Sequence, residues 1–296
     1  MSGFLDQMAA GSRDRAASAR VREPLGSLRA RCMDLPSPPV LALGGGFNLI
    51  AELKLRSPAL GELGSASDDL SGRVTTYARS GAAAVSVLTE PSRFSGSLQH
   101  LRDAAVALAP MSVPAMRKDF LVDPYQLYEA RAAGAGGALL IVRLLSRELL
   151  AEMLDCAREL GLFVLIETFD EADIAVAEQE TAAAAGRWSA GSPASLARSG
   201  GHRPPRPAAA GGILLGVNSR DLQTLAVVPE RLEQLAPSLP REYPRVAESG
   251  LTSPADAARM VRAGYDMALV GGALMSAPHP GALVRAMLEA GRAVAA

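Results

Sequence analysis

Histidine is scarce in this chain, with three residues, and cysteine is scarcer, with two. Cys32 and Cys156 have no metal-ligand spacing, and Cys156 lies in the helical pattern LLAEMLDCAREL, so both read as reduced structural thiols. That usage fits a cytoplasmic protein. His100, His202 and His279 fall in a helical stretch, a low-complexity segment and a late loop, which argues against a histidine metal site or a Ser-His triad. An excess of one charge is also lacking. Lys and Arg number 30 against 31 Asp and Glu, so no whole-protein field gathers nucleic acid or an anionic membrane surface, and a small-molecule partner is expected instead. No uninterrupted apolar run reaches the ~20 residues of a membrane span. The opening MSGFLDQMAAGSRDRAASAR carries charges where a signal peptide needs an apolar stretch, so neither export nor anchoring is expected. The GGG at 44–46 lacks the strand before and the helix after that a dinucleotide fingerprint requires, and nothing calls for a cofactor or metal.

What the chain does have is repetition of one pattern. Short β-rich runs recur at 48–53, 83–89, 112–118, 137–143, 162–168, 213–219, 243–249 and 266–272, with amphipathic helical segments between them. Most are continuous in Val, Ile, Leu and Ala rather than alternating, as in strands buried on both faces of a parallel sheet. The intervening helices carry end signals, such as Ser253-Pro254 opening SPADAARMVRAG and Gly264 closing it. Strand and helix alternating eight times predict an α/β fold, a closed (β/α)8 TIM barrel, a size that 296 residues accommodate in one domain.

Two segments fall outside the repeat. Residues 1–45 read as one basic amphipathic helix and a Pro/Gly-rich link, an N-terminal helical extension ahead of a barrel at 46–296. Residues 181–211 are rich in Ala, Gly, Pro and Arg without periodicity, and read as a flexible insertion between the fifth helix and the sixth strand, on the bottom face.

Barrel enzymes build their sites at the C-terminal ends of the strands, and here those ends are polar. In chain order they carry Glu52, Lys54 and Ser57; Thr89 and Glu90; Lys118 and Asp119; Arg143; Glu167; Asn218 and Arg220; and Glu248 and Ser249. Singly, each is an ordinary solvated loop residue, and as a set they could form structural ion pairs. Two lysines and several carboxylates around one mouth are nevertheless what proton transfer needs, because proximity and burial move their pKa values toward the working pH. After the seventh and eighth strands, Ser249-Gly250 and Gly271-Gly272 allow close backbone approach. GGALMSAP can then form the short helix that makes the usual barrel phosphate site.

At these residues the chain resembles the indole-3-glycerol-phosphate synthase family. The resemblance rests on IAELKLRSP (50–58), SVLTEPSRFSGSL (86–98), RKDFLVDPYQLYEARAAGA (117–135), GVNSRDL (216–222) and AESGLTSPADA (247–257). It implies cofactor-free conversion of 1-(2-carboxyphenylamino)-1-deoxyribulose 5-phosphate into indole-3-glycerol phosphate, carbon dioxide and water. It further implies that Lys118 is the general acid of ring closure and that Lys54 engages the carboxylate or serves the later dehydration. Glu167 would be the partnering base or acid, with Glu52 shaping the lysine pKa values. Asn218, Arg220, Glu248 and Ser249 would orient the sugar chain and aryl carboxylate. Ser57, Gly250, Gly271 and Gly272 would hold the phosphate. Phe94 and Phe120 would wall the aromatic ring, with ordinary core packing the competing reading for both.

The chain departs from the family pattern in three places. The insertion 181–211 is long, ALGELG (59–64) lacks the loop lysine usual there, and Arg143 stands where a small residue is common, either as an added anion contact or extended to solvent. The competing assignments are another phosphate-binding barrel enzyme, such as a sugar-phosphate isomerase, and a non-catalytic phosphate-ligand binder. Isomerases of that kind lean on Asp or Cys at strand ends, and a non-catalytic binder would have lost catalytic groups that are present here. A monomer or weak homo-oligomer is expected.

Overall fold

The computed structural model describes residues 3–64, 69–189, 212–221 and 224–295. Eight parallel strands close into a barrel: β1 (Asn48–Leu53), β2 (Ala84–Leu88), β3 (Ala115–Lys118), β4 (Gly137–Ile141), β5 (Phe163–Thr168), β6 (Ile213–Asn218), β7 (Arg245–Glu248) and β8 (Met267–Val270). Each strand pairs with its neighbours in sequence, and β8 pairs back onto β1 through Asn48↔Met267 to Ala51↔Val270. The strands read as continuous apolar runs because both faces are covered. In β5, Val164 and Ile166 join the layer between strands and helices, while Phe163 and Leu165 fill the barrel axis. The same alternation places Glu167 on the axis face at the strand's end. The (β/α)8 expectation therefore holds, with all eight strands at the expected positions.

The surrounding helices are α3 (Leu70–Arg79), α4 (Pro91–Phe94), α5 (Leu98–Leu108), α6 (Tyr125–Ala132), α7 (Arg147–Glu159), α8 (Glu171–Ser189), α9 (Glu230–Leu235), α10 (Pro254–Ala263), α11 (Gly272–Ser276) and α12 (Pro280–Ala295). Helix α10 begins and ends as its sequence signals: Ser253 and Asp256 form a reciprocal capping box, and Gly264 closes the helix at φ 103°.

The N-terminal extension differs from the single helix expected. It forms two helices, α1 (Phe4–Arg22) and α2 (Leu25–Met33), because Pro24 cannot continue an α-helical ladder and instead caps the second. Helix α1 buries a stripe of small residues, Ala9, Ser12, Ala16 and Ala19, at helical spacing. Those small side chains let it lie close to the barrel. Ion pairs fix it there, Arg15 to Asp119 at 2.7 Å and Arg20 to Asp123 at 2.6 Å, both just past the end of β3. The insertion expected over 181–211 begins as helix: α8 runs on through Ser189, and buried Thr181 donates its hydroxyl to the Ala177 carbonyl at 2.8 Å. ETAAAA is a strong helix-forming sequence, and that propensity prevails over the biased composition that follows it. The remainder of the expected insertion, 190–211, lies outside the described residues.

The packing of the axis is tight at its lower layer. Gly137 faces Phe163 across the β4–β5 pair, and a Cβ at 137 would overlap the Phe163 ring. We expect Gly137→Ala to cost about 1–3 kcal/mol by overpacking. Differential scanning calorimetry should show a Tm lowered by several degrees, with part of the loss recovered by Phe163→Leu in the same chain. An unchanged Tm for Gly137→Ala would show that the axis can relax around an added methyl group.

Candidate active site

The C-terminal ends of the strands surround a cavity of about 220 Å³. All the residues assigned above to catalysis, substrate and phosphate line it: Glu52, Lys54 and Ser57; Phe94, Lys118 and Phe120; Glu167, Asn218 and Arg220; and Glu248, Ser249, Gly250, Gly271 and Gly272. The cause is the strand alternation, which sends the last axis-facing residue of β1, β3, β5, β6 and β7 to the same height.

At the centre stands Lys118. Its ammonium lies 3.2 Å from a Glu167 oxygen and 3.3 Å from a Glu248 oxygen. Burial works against the charge, but the carboxylates of Glu167, Glu248 and Glu52 outweigh it and hold the lysine above its ordinary range. Glu248 moves up as well, against what its lysine partner alone would cause. Its burial and the neighbouring Glu167 charge together exceed the pull of Lys118. The two carboxylates crowd one ammonium, and burial with the Glu167 charge holds the Glu248 carboxyl well above the usual carboxylate range. Glu248 Oε1 has no hydrogen-bond partner among the described residues, and it occupies space that a Cβ at residue 216 would fill, which accounts for Gly216 in β6.

Glu167 also accepts a hydrogen bond from the Asn218 side-chain amide at 3.1 Å, and Asn218 Oδ1 accepts the Arg220 N–H at 2.9 Å. On β1, Glu52 is buried and pairs with Lys54 at 2.6 Å. Burial raises the Glu52 pKa, yet Lys54 and Lys118 bring it to a net value below the usual carboxylate range. A Cβ at Gly271 would overlap Glu52 Oε1, so this glycine makes room for the Glu52–Lys54 pair. Burial also draws Arg220 below the ordinary arginine range, opposed by Glu52.

The cavity has two chemically distinct ends. By strand order β2 and β3 lie across the barrel from β6 and β7, and their loops supply rings: Phe94 and Phe120 have centroids 6.2 Å apart, and Phe4 meets Phe120 edge-on at 5.9 Å. The opposite wall is backbone. Ser249 and Gly250 follow β7 with φ of 68° and 79°, a left-handed pair that is costly for serine and turns the chain sharply at the cavity. Gly271 and Gly272 lead into α11, whose first turn offers N–H groups outside the intrahelical ladder. A small antiparallel hairpin, Arg56–Ser57 against Gly61–Glu62, overhangs this wall, with Leu60 beside Gly272.

Other polar strand-end residues serve the scaffold. Glu90 caps α4 through the N–H groups of Ser92 and Arg93, at 2.9 and 2.7 Å. Asp119 reaches the cavity wall, but its oxygens accept from Arg15, Thr89, Arg117 and the Phe120 N–H. Arg143 does not line the cavity and is exposed, but it is not a free solvated side chain. It pairs with Asp170 and Asp173 at 2.6 Å each and stacks over the Phe169 ring at 4.6 Å. Phe4, from α1, is a wall residue that sequence reading missed, since nothing in a polar N-terminal helix says which strand end it will reach. His100 lies in α5 and His279 just before α12, while His202 is outside the described residues. Among the described residues no group of three His, Cys, Asp or Glu is disposed to hold a metal ion.

The chain matches the family model described as "Indole-3-glycerol phosphate synthase" over residues 6–186 and 206–287. It is 39% identical over 288 residues to the indole-3-glycerol phosphate synthase of Nocardioides sp., covering 96% of this chain and 97% of that one. It is 35% identical over 275 residues to the protein of the same name from Dehalococcoides mccartyi, covering 91% and 93%. Among solved structures it resembles 3-hexulose-6-phosphate synthase from Salmonella typhimurium, with TM-score 0.58, 12% identity and coverage of 84% of this chain and 100% of that one. It also resembles thiamine phosphate pyrophosphorylase from Pyrococcus furiosus, with TM-score 0.55, 15% identity and coverage of 84% and 96%. At those identities the structural likeness establishes the barrel alone.

The raised Glu248 pKa bears on stability. A carboxyl whose folded pKa is raised contributes stability that is full below its unfolded value, about 4.3, and is lost as pH rises through its folded value. For Glu248, the folded state therefore holds the proton more tightly than the unfolded chain at pH values above about 4.3. Lys118, raised, and Glu52, lowered, change their contributions only above the ordinary lysine range and below the ordinary carboxylate range, respectively. We expect thermal stability to fall as pH rises above the ordinary carboxylate value of about 4.3 and Glu248→Gln to flatten that fall. Parallel Tm–pH curves for the two proteins would place the proton elsewhere.

Proposed function

The chain belongs to the indole-3-glycerol phosphate synthase family, and from that premise we propose how its cavity divides the labour of the reaction. The enzyme is a carboxy-lyase of tryptophan biosynthesis. It closes the indole ring of 1-(2-carboxyphenylamino)-1-deoxyribulose 5-phosphate with loss of carbon dioxide and water. In the ring-closing step the aryl carbon bearing the carboxylate attacks the ketone carbon, and the ketone oxygen must gain a proton. Carbon dioxide then leaves from that aryl carbon, and loss of the new hydroxyl as water needs a second proton delivered and one removed.

The observation that carries the assignment is the ammonium of Lys118 held between Glu167 and Glu248 at 3.2 and 3.3 Å, at the junction of an aromatic wall and a glycine wall. A charged lysine there protonates the ketone oxygen and is reloaded from the adjoining carboxyls, so the cluster holds both donor and acceptor for the later steps. Glu167 is the partnering base or acid. Lys54, paired to Glu52, meets the aryl carboxylate or serves the dehydration. Phe4, Phe94 and Phe120 flank the aryl ring, and Asn218, Arg220, Glu248 and Ser249 orient the carboxylate and sugar chain. Ser57, Gly250, Gly271 and Gly272 receive the phosphate, with the first turn of α11 contributing N–H groups to it. No resident cofactor is invoked. Among the described residues no helix is long and apolar enough to cross a membrane, and we place the enzyme in the cytoplasm with the pathway it serves.

The direct test is incubation with the carboxyphenylamino-deoxyribulose phosphate while indole absorbance is followed. No indole product from the folded protein would refute the assignment. Lys118→Met should lose about 10²–10⁴-fold in kcat, the usual contribution of a positioned general acid, with the barrel still folded by circular dichroism. Near-normal turnover would move the acid role to another group. Gly272→Asp, which places a carboxylate beside the glycine wall, should raise KM and weaken inhibition by inorganic phosphate in parallel, since uniform binding sets KM more than kcat. Survival of both would remove the phosphate from β7 and β8.

A further inference from the structure

Arg231 lies in the first turn of α9, outside the cavity, and its guanidinium reaches back to the end of β6. Nη1 donates to the carbonyl oxygens of Asn218 at 3.4 Å and of Arg220 at 3.1 Å, and Nη2 stands 4.0 Å from the Asp221 carboxylate. The chain following these residues folds back on itself. The Asp221 N–H donates to Ala226 O and the Val228 N–H to Ser219 O, each at 2.8 Å, and Arg220 and Val227 form an antiparallel bridge. Leu225, near the turn, has a left-handed φ of 61°, lines the cavity, and accepts the Arg220 guanidinium on its carbonyl at 2.5 Å.

We propose that Arg231 is a positioning residue for Asn218 and Arg220, an inference that rests on the substrate-orienting role assigned to that pair above. Backbone carbonyls at a strand end need partners, and those of Asn218 and Arg220 share one donor that approaches from outside the barrel. A single planar guanidinium thus fixes two peptide groups separated by one residue. Their side chains leave toward the cavity: the Asn218 amide sits 3.1 Å from Glu167, and the Arg220 guanidinium closes on Leu225. Other constraints oppose movement of this segment, namely the fold-back hydrogen bonds, the Ser219 N–H to Glu248 carbonyl bond at 3.0 Å and the Ser219 hydroxyl bonds to the Glu248 and Ser249 carbonyls at 3.2 and 3.1 Å, and none of them holds the Arg220 carbonyl. Arg231 supplies that constraint. A lysine at the same place carries the charge without the rigid fork, so it would satisfy the carbonyls less well.

The test compares Arg231→Met and Arg231→Lys with the wild-type chain by amide hydrogen exchange and steady-state kinetics. In Arg231→Met the Asp221 and Val228 amides should exchange roughly tenfold faster, about the loss of one hydrogen bond to a charged donor. The Leu215 amide, bonded to Pro244 O within the barrel, should not change. Substrate kcat/KM should fall roughly tenfold to a hundredfold, the scale of a small misplacement of orienting groups, with the inhibition constant of inorganic phosphate changed much less because most of the groups assigned to that anion, Ser57, Gly271 and Gly272, follow β1 and β8 rather than β6. Arg231→Lys should lie between the two. Faster exchange with wild-type kinetics would overturn the positioning role. So would a uniform loss in which Leu215 exchange, Tm and phosphate inhibition all shift together, which marks general destabilisation. Should Arg231→Met fail to fold, wild-type exchange and kinetics in Arg231→Lys would overturn it equally. A wild-type chain that forms no indole product would refute the functional reading instead, and the claim that Arg231 clamps the segment would be decided by the exchange data alone.

Discussion

One ammonium group held by two buried carboxylates organises this molecule's functional end. Lys118, Glu167 and Glu248 come from three strands, β3, β5 and β7, and meet only because the barrel is closed and each residue is the last axis-facing position of its strand. For Glu248, burial and the neighbouring Glu167 outweigh what Lys118 returns, so its carboxyl is held well above the usual carboxylate range. The same contacts place a charged donor and a carboxyl held well above its ordinary range side by side at the mouth of the barrel.

The surrounding structure makes room for the cluster and shields it. Gly216 and Gly271 stand where any side chain would strike Glu248 or Glu52. The Glu52–Lys54 pair adds a second lysine at the same mouth, drawn toward its own carboxylate at 2.6 Å, so the two lysines are presented in different electrostatic surroundings. Helix α1 closes the outer side, tied by Arg15 to Asp119, the residue next to Lys118, and it contributes Phe4 to the aromatic wall. The extension is therefore part of the cavity as well as part of the fold.

Much of this was legible from residue order. In a (β/α)8 barrel every strand ends on the same face, so reading the ends of the apolar runs collected Glu52, Lys118, Glu167, Asn218 and Glu248 without any knowledge of distance. What the order could not convey was partnership across the chain. Glu90 and Asp119 look identical in kind to the cavity carboxylates, yet one caps a helix and the other is saturated by Arg15 and its neighbours. Arg143 meets Asp170 and Asp173, which stand at the start of a helix on the next strand's loop. Phe4 and Arg231 reach their positions through helix placement rather than strand register, and a linear pattern carries no signal for that. The helical continuation through Ser189 was masked for a different reason: the Ala-rich segment was grouped by composition with its Gly- and Pro-rich sequel.

The opposed pulls on Glu248 and Lys118 are the claim on which both the stability and the chemistry depend, and site-resolved NMR titration of labelled glutamate carboxyls and lysine ammonium groups measures them directly. The account predicts that the Glu248 carboxyl titrates well above the ordinary carboxylate range while the Lys118 ammonium stays charged beyond the ordinary lysine range. A Glu248 that ionises near the ordinary value of about 4.3, beside a Lys118 that loses its proton near or below 10.4, would contradict it.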